Sequence, residues 1–146
     1  MAAKSRKPDD EALIRALIDD VTNAIRAKDA GGVAKHHADD FVHFSLAPPL
    51  RAAADPKALD AWFATWRGTI SYETRDLSIV AGNDVAFCHS LNHMSGVMTD
   101  GEQTDLWFRL TLGLRKVGGA WKIVHEHESV PFYMDGSMKA ATDLKP

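Results

Sequence analysis

The chain has 146 residues, of which 45% are hydrophobic, and this size and apolar content suit one folded domain with a single core. Its 17 basic and 20 acidic side chains give a formal charge of -3 without a long basic stripe, so we predict no nucleic-acid partner. No apolar run approaches the roughly 20 residues that span a bilayer, and no apolar segment follows the charged N-terminus, so we expect a cytoplasmic protein without a membrane partner.

The first part of the chain has the residue spacing of helices. Pro8 is followed by two acidic residues, and apolar side chains then recur every three or four positions as far as Ile25, which predicts an amphipathic helix. Asp29 is suited to cap a second, short helix. The apolar, β-prone stretch 41–44 follows and predicts a short strand.

A third helix is predicted after the proline-rich break at 47–49. Asp55 supplies a capping side chain, and Pro56 is a favoured residue for the first helical turn. Three aromatic residues then share one side of the predicted helix: Trp62, Phe63 and Trp66. This side is expected to face the core.

From Ile70 onward, apolar and polar residues alternate as they do in strands. Turn signals at 82–84, 100–101 and 118–119 divide this region into the four strands of an antiparallel meander. Strands of roughly ten residues exceed the usual five or six, and long strands bend, which leaves a concavity where helices cover the sheet. Helices followed by hairpins predict an α+β fold.

The turns also predict which residues pair across the sheet. A two-residue loop at 118–119 pairs Val117 with Ala120, and this register can be extended through the earlier turns. The predicted pairs are Leu114 with Ile123, Leu112 with His125, Leu110 with His127, Leu91 with Phe108, His89 with Leu110, Asp76 with His89, and Tyr72 with His93. Because side chains alternate between faces, an error of one residue would invert a strand.

On this register, one sheet face is mostly apolar and is predicted to be the concave face. The residues expected to bind a ligand there, together with aromatic residues of the third helix, are Trp62, Trp66, Phe87, Leu91, Phe108, Leu110, Leu112, His125 and His127. The convex face is more mixed, with Arg109 opposite Glu128. A mixed face of this kind suits a subunit contact, so we expect a homodimer that packs through it.

Several segments carry a family resemblance. They are the opening helix, the residues 38–42, the helix around Trp62, the strand 83–87 and the closing segment 119–129, which contains Trp-x-Ile-x-His-x-His-x-Ser. From about residue 11 to residue 132 the chain resembles the SnoaL-like, ketosteroid-isomerase-related branch of the nuclear transport factor two-like superfamily. Its closing segment also resembles the end of the calcium/calmodulin-dependent kinase association domain.

The resemblance implies a cone-shaped fold in which about three N-terminal helices pack on a strongly curved, mainly antiparallel sheet. It also implies a central pocket and commonly a homodimer. We accordingly predict a single SnoaL-like domain over residues 9–134, a disordered N-terminus over 1–8 and a C-terminal tail over 135–146. Function follows less directly, because this fold hosts several chemistries as well as proteins without any.

The chain departs from two members of that superfamily at functional positions. The tyrosine and the two aspartates of ketosteroid isomerases fall at Val21, Ser45 and Leu112, none of which can move a proton or polarise a carbonyl. The pocket arginines of the kinase association domain fall at Leu91 and Leu112. Neither steroid isomerisation of that kind nor anion binding is therefore expected.

Histidines and an aspartate remain as candidates for acid/base chemistry on the predicted concave face. An imidazole held by a carboxylate can pass a proton in either direction near neutral pH. We predict that Asp76 orients His89 as the acid/base group, and that Tyr72 and His93 donate hydrogen bonds to a substrate oxygen. This arrangement suits a cofactor-free isomerase, cyclase or dehydratase acting on an apolar, oxygen-bearing substrate.

Three alternatives stay open beside this hypothesis. The same pocket could bind a ligand without turnover, or the cavity could be incidental to a dimeric scaffold. A metal site would draw on His89, His93, His125 and His127, but alternate strand residues lie roughly 6 to 7 Å apart and no carboxylate is firmly placed beside them. The single cysteine, Cys88, excludes a multi-cysteine metal site, so we predict neither metal nor cofactor.

Overall fold

The computed structural model describes residues 9–146, so the predicted disorder of residues 1–8 lies outside the described residues. Three helices and six strands follow one another along this part of the chain. In order they are α1 (Asp10–Arg26), α2 (Ala30–Ala34), β1 (His37–Phe44), β2 (Ala52–Ala53), α3 (Pro56–Phe63), β3 (Trp66–Ala81), β4 (Val85–Met98), β5 (Gln103–Val117) and β6 (Ala120–Ser129). Within residues 9–146, no helix combines the length and the hydropathy needed to cross a membrane.

An aspartate caps each described helix, as predicted for Asp29 and Asp55. The carboxylates of Asp9, Asp29 and Asp55 accept hydrogen bonds from backbone amides of the first helical turn at 2.7 to 3.1 Å. Each bond satisfies a donor that has no partner within the helix. The third helix is shorter than predicted, because it ends at Phe63 and Trp66 is already the first residue of β3.

The strands form one curved sheet in the order β2-β1-β6-β5-β4-β3. All neighbours are antiparallel except β1 and β6, which run parallel. Helix α1 packs on β3 and also contacts β6 and α2, so the helices cover one face of the sheet. The core between the layers includes the fully buried residues Ile14, Ile70, Leu114 and Ile123. The predicted α+β fold with a mainly antiparallel sheet is confirmed.

The register of the last hairpin is confirmed only near its turn. Val117 pairs with Ala120 and Leu114 with Ile123, as predicted. Beyond this point Gly113 pairs with His125, so Val124 is an extra residue and forms a β-bulge. The predicted pairs of Leu112 with His125 and Leu110 with His127 are therefore wrong. Leu112 pairs instead with Glu126, and Leu110 pairs with Glu128.

The predicted register between β4 and β5 is wrong by one residue. The amide of Met98 donates to the carbonyl of Glu102 at 2.7 Å, so the connecting turn holds three residues. The predicted register required an even number of turn residues. Gly101 has a φ of 90°, as three-residue hairpins with a glycine require. Leu91 therefore pairs with Arg109 instead of Phe108, and His89 with Thr111 instead of Leu110.

The pairing of β3 with β4 also differs from the prediction. A second bulge lies between Arg75 and Ser78, and Asp76 within it has a φ of 54°. Ser78, and not Asp76, consequently lies opposite His89. On the other side of the bulge Tyr72 pairs with Met94 and not with His93.

These shifts invert β4. The residues that face the helices are Ala86, Cys88, Ser90, Asn92 and Met94, all of which are buried. The β4 residues predicted to lie on the concave face are on the outer face instead: Phe87, His89, Leu91 and His93, together with Val85.

Candidate active site

A cavity of about 720 Å³ lies between the helices and the concave face of the sheet. Its wall is mainly apolar and includes Val21 of α1, Leu59 and Trp62 of α3, and Phe108 and Leu110 of β5. The volume falls in the range of roughly 300 to 1,000 Å³ that small-molecule sites occupy. The cavity can therefore hold an organic ligand of two or three fused rings.

Two glutamates and a histidine meet in the wall of this cavity. Nε2 of His43 lies 3.1 Å from Oε1 of Glu128 and 3.8 Å from Oε2 of Glu126. The three side chains are between 17% and 26% exposed. The Val124 bulge turns both glutamates inward, and the parallel pairing of β1 with β6 places His43 beside Glu126. We call these three residues the carboxylate–histidine cluster.

The cluster retains protons near neutral pH. Burial and the neighbouring Glu128 carboxylate raise the pKa of Glu126 to about 8. Burial alone would lower the pKa of His43, but its hydrogen bond to Glu128 and the charges of both glutamates outweigh burial and raise it. Glu126 is therefore a proton donor at neutral pH, and His43 is biased toward imidazolium.

A second histidine of β1 behaves differently. His37 also lines the cavity, where its ring stacks on Phe41 with the centroids 3.9 Å apart. Burial, followed by the charges of His43 and His36, lowers the pKa of His37 to about 4. His37 is therefore a neutral wall residue at physiological pH.

A hydrogen-bonded group of uncharged side chains lies in the same cavity. Asn92 is 1% exposed, and its Nδ2 lies 2.9 Å from the Tyr72 hydroxyl and 3.4 Å from Oγ1 of Thr74. Its Oδ1 accepts a hydrogen bond from Ser90 at 2.6 Å. Burial, and then the charges of Glu128 and Glu126, raise the pKa of Tyr72 well above its ordinary value, so its phenol stays protonated.

The carboxylate–histidine cluster also has the composition of a divalent-cation site. One imidazole nitrogen and two carboxylate oxygens lie within 4.8 Å of one another. The four histidines that the sequence suggested for a metal do not come together in this way, because His89 and His93 lie on the outer face, and His125 and His127 lie outside the cavity wall.

A sequence profile of the SnoaL-like domain matches residues 14–133. An NTF2-like protein of unknown function from Pseudomonas putida KT2440 is 34% identical, over 91% of this chain and 94% of that one, with a TM-score of 0.82. The chain belongs to the SnoaL-like domain family. The predicted resemblance is thereby confirmed.

More distant relatives of this SnoaL-like domain agree in fold. A candidate scytalone dehydratase from Novosphingobium aromaticivorans DSM 12444 is 19% identical, over 92% of each chain, with a TM-score of 0.73. A ketosteroid isomerase-like protein from Erwinia carotovora atroseptica SCRI1043 is 22% identical, over 84% of this chain and 97% of that one, with a TM-score of 0.67. A comparison with functionally curated proteins gives no match.

The SnoaL-like domain brings some of the residues predicted from sequence into its cavity. Those that line it are Tyr72, Trp62, Phe108, Leu110 and Leu112. The others lie elsewhere: Asp76, His89, His93, Phe87, Leu91, Trp66, His125 and His127. Most of these misplacements follow from the wrong registers described above. Trp66 is 3% exposed and belongs to the core.

Three misplaced histidines have other partners. His93 lies between two carboxylates on the outer face, 2.6 Å from Asp105 and 3.3 Å from Glu73. The ring of His125 bonds to the carbonyl oxygen of Val42 at 2.8 Å, and the rings of His125 and His127 contact the ring of Phe44 edge-on. These contacts explain the positions of the three imidazole rings, so no bound ligand is needed to explain them.

The carboxylate–histidine cluster was not among the site residues predicted from the sequence. The alternation His125-Glu126-His127-Glu128 offers either two histidines or two glutamates to the cavity, and the Val124 bulge decides between them. The bulge lies opposite Gly113, and a glycine inside a strand often marks a bulge. The sequence signal for this bulge was a glycine that lies opposite a segment of alternating polar residues.

Proposed function

We propose that this SnoaL-like domain is an enzyme that moves protons on a small apolar substrate carrying an oxygen function, as isomerases, cyclases and dehydratases do. The carboxylate–histidine cluster in the wall of an otherwise apolar cavity carries this proposal. An acid and a base held side by side can transfer protons in both directions without a cofactor.

The two glutamates of the cluster have different surroundings, and we assign one as the base and the other as the acid. Glu128 accepts the hydrogen bond of His43 and is the base that removes a proton from a substrate carbon. The C–H electron pair forms a carbon–carbon double bond. In an enolisation the carbonyl π electrons move to oxygen, which takes the proton of Glu126; in a dehydration the C–O bond breaks and that proton leaves with the hydroxyl as water.

Two features support these roles. The pKa of Glu126 near 8 keeps it protonated at neutral pH yet able to release its proton, which is the range where general acids are efficient. The mainly apolar wall lowers the effective dielectric around the cluster, which strengthens the interactions between its charges.

The test uses a simple ketone because acid/base action on it is visible without knowledge of the natural substrate. We expect the protein to catalyse exchange of the α-protons of 2-tetralone in D₂O, observed by proton NMR. Glu128→Gln, which removes the base, and Glu126→Gln, which removes the acid, are each expected to lower the protein-catalysed rate about 100-fold or more. His43→Asn is expected to lower the rate less, because His43 acts by holding Glu128 in place.

His93→Asn is the matched control, because His93 also contacts two carboxylates but lies on the outer face. We expect it to keep the exchange rate within about twofold, since outer-face changes rarely disturb a distant site. Equal rates for Glu128→Gln and the wild-type protein would contradict the proposal. Binding of 2-tetralone without exchange would favour a ligand-binding domain without turnover.

A further inference from the structure

The orientation of the Asn92 amide is fixed by the number of its hydrogens. Nδ2 carries two hydrogens, and Tyr72 and Thr74 offer two acceptor oxygens on that side, whereas the opposite side offers only Ser90. A rotated amide would leave one N–H hydrogen without a partner in a side chain that is 1% exposed, at a cost of about 1 to 3 kcal/mol. The amide nitrogen therefore faces Tyr72 and Thr74.

This orientation sets the direction of two hydroxyl groups. Because Tyr72 and Thr74 both accept from Asn92, each keeps its own hydroxyl hydrogen for another partner. Within residues 9–146, neither hydroxyl donates to a protein acceptor. The two residues are two positions apart on β3, so their side chains share one face, and both line the cavity.

We propose that Tyr72 and Thr74 form a paired-hydroxyl site that donates two hydrogen bonds to one acceptor oxygen of the ligand, with Asn92 and Ser90 as positioning residues. The ligand class is then a carbonyl compound such as a ketone. This inference rests on the proposed function, because the bound carbonyl would be the oxygen that gains charge when Glu128 removes a neighbouring proton.

The surroundings of the two hydroxyls fit this role. Tyr72, Thr74, Glu126 and Glu128 all line the same cavity, so the base and the donor site can contact one ligand. Accepting a hydrogen bond from Asn92 polarises each hydroxyl and makes it a stronger donor. A hydroxyl or amino group of a ligand, which would itself donate, gains less from such a pair.

The test compares two probes of the same shape by isothermal titration calorimetry. 2-Acetylnaphthalene has a carbonyl oxygen where 2-isopropenylnaphthalene has a methylene group. We expect the wild-type protein to bind the ketone roughly tenfold more tightly, and Tyr72→Phe and Thr74→Val each to reduce this preference about threefold. The double variant is expected to abolish it.

Affinity for the hydrocarbon probe serves as the internal control for folding and should stay constant in every variant. Thr111→Val, the same substitution on the outer face of β5, is expected to keep the ketone preference. A preference that persists in the double variant, or that is missing in the wild-type protein, would overturn the proposal.

Glu128→Gln separates this inference from the proposed function. The ketone preference is expected to survive in Glu128→Gln, although α-proton exchange is lost. The opposite result, in which Glu128→Gln abolishes the preference and Tyr72→Phe leaves it intact, would mean that the glutamates recognise the carbonyl. That result would refute the paired-hydroxyl site and leave the acid/base proposal standing.

Discussion

Glu126 links the ionisation of the cavity to the stability of the fold. Its pKa is about 8 in the folded protein against an ordinary 4.5, so the folded state holds a proton that the unfolded chain releases at lower pH. Stability from this residue is fully present below pH 4.5 and is lost as the pH rises through about 8. The raised pKa of His43 acts in the same direction, because its contribution also fades at high pH.

Glu126→Gln tests this linkage, because glutamine has nearly the shape of the protonated acid and no charge to bury. We expect the free energy of unfolding of the variant to exceed that of the wild-type protein by an amount that grows between pH 5 and pH 8, at up to about 1.4 kcal/mol per pH unit. Urea unfolding at several pH values measures it. The exposed Glu102→Gln should show no such trend, and a constant difference across this range would contradict the raised pKa of Glu126.

Small irregularities of the strands decide which side chains enter the cavity. One extra residue at Val124 turns Glu126 and Glu128 inward, and a three-residue turn places Asn92, not His93, against the helices. Sequence patterns predicted the helix starts, five of the six strands and the fold, because capping residues and alternation are local signals, but the two-residue strand β2 was missed. They did not predict the bulges or the turn length. Both faces of these strands carry some apolar side chains, so a shift of one residue still leaves apolar side chains facing the helices.

Gly96 of β4 lies against the ring of Trp66 of β3, and this close packing predicts the effect of a larger residue at position 96. A Cβ at Gly96 would lie 2.9 Å from the Trp66 ring, which is 3% exposed and has little room to move. We expect Gly96→Ala to destabilise the protein by about 1 to 3 kcal/mol through overpacking. Urea unfolding measures the change.

Gly113→Ala is the matched control, because a Cβ there would lie 3.5 Å from its nearest neighbour, His125. Both glycines lie within strands, so both substitutions make a similar change to the unfolded chain. Gly113→Ala is expected to stay within about 0.5 kcal/mol of the wild-type protein. Equal effects of the two substitutions would mean that Trp66 yields to the added methyl group.

On the scale of the whole molecule, the sheet has one face for the cavity and another that stays uncovered in the single chain. Three apolar side chains lie together on the outer face of β3 and β4: Val80, Val85 and Phe87 are 52%, 58% and 50% exposed. Adjacent apolar residues on a sheet face are typical of a surface that packs on another protein. We expect a second copy of the chain there, in agreement with the dimer predicted from the sequence for the convex face.

Phe87→Glu tests this dimer, because a charge in the centre of an apolar contact would be buried without a partner in both copies. Sedimentation equilibrium should give twice the 16.0 kDa chain mass for the wild-type protein and the single-chain mass for the variant. Met134→Glu makes a similar change at a 93% exposed residue after β6 and should leave the dimer intact. A monomeric wild-type protein, or dissociation by Met134→Glu alone, would place the partner elsewhere. If Phe87→Glu also keeps the α-proton exchange of 2-tetralone, each copy holds a complete site, as expected from a cavity on the opposite face of the sheet.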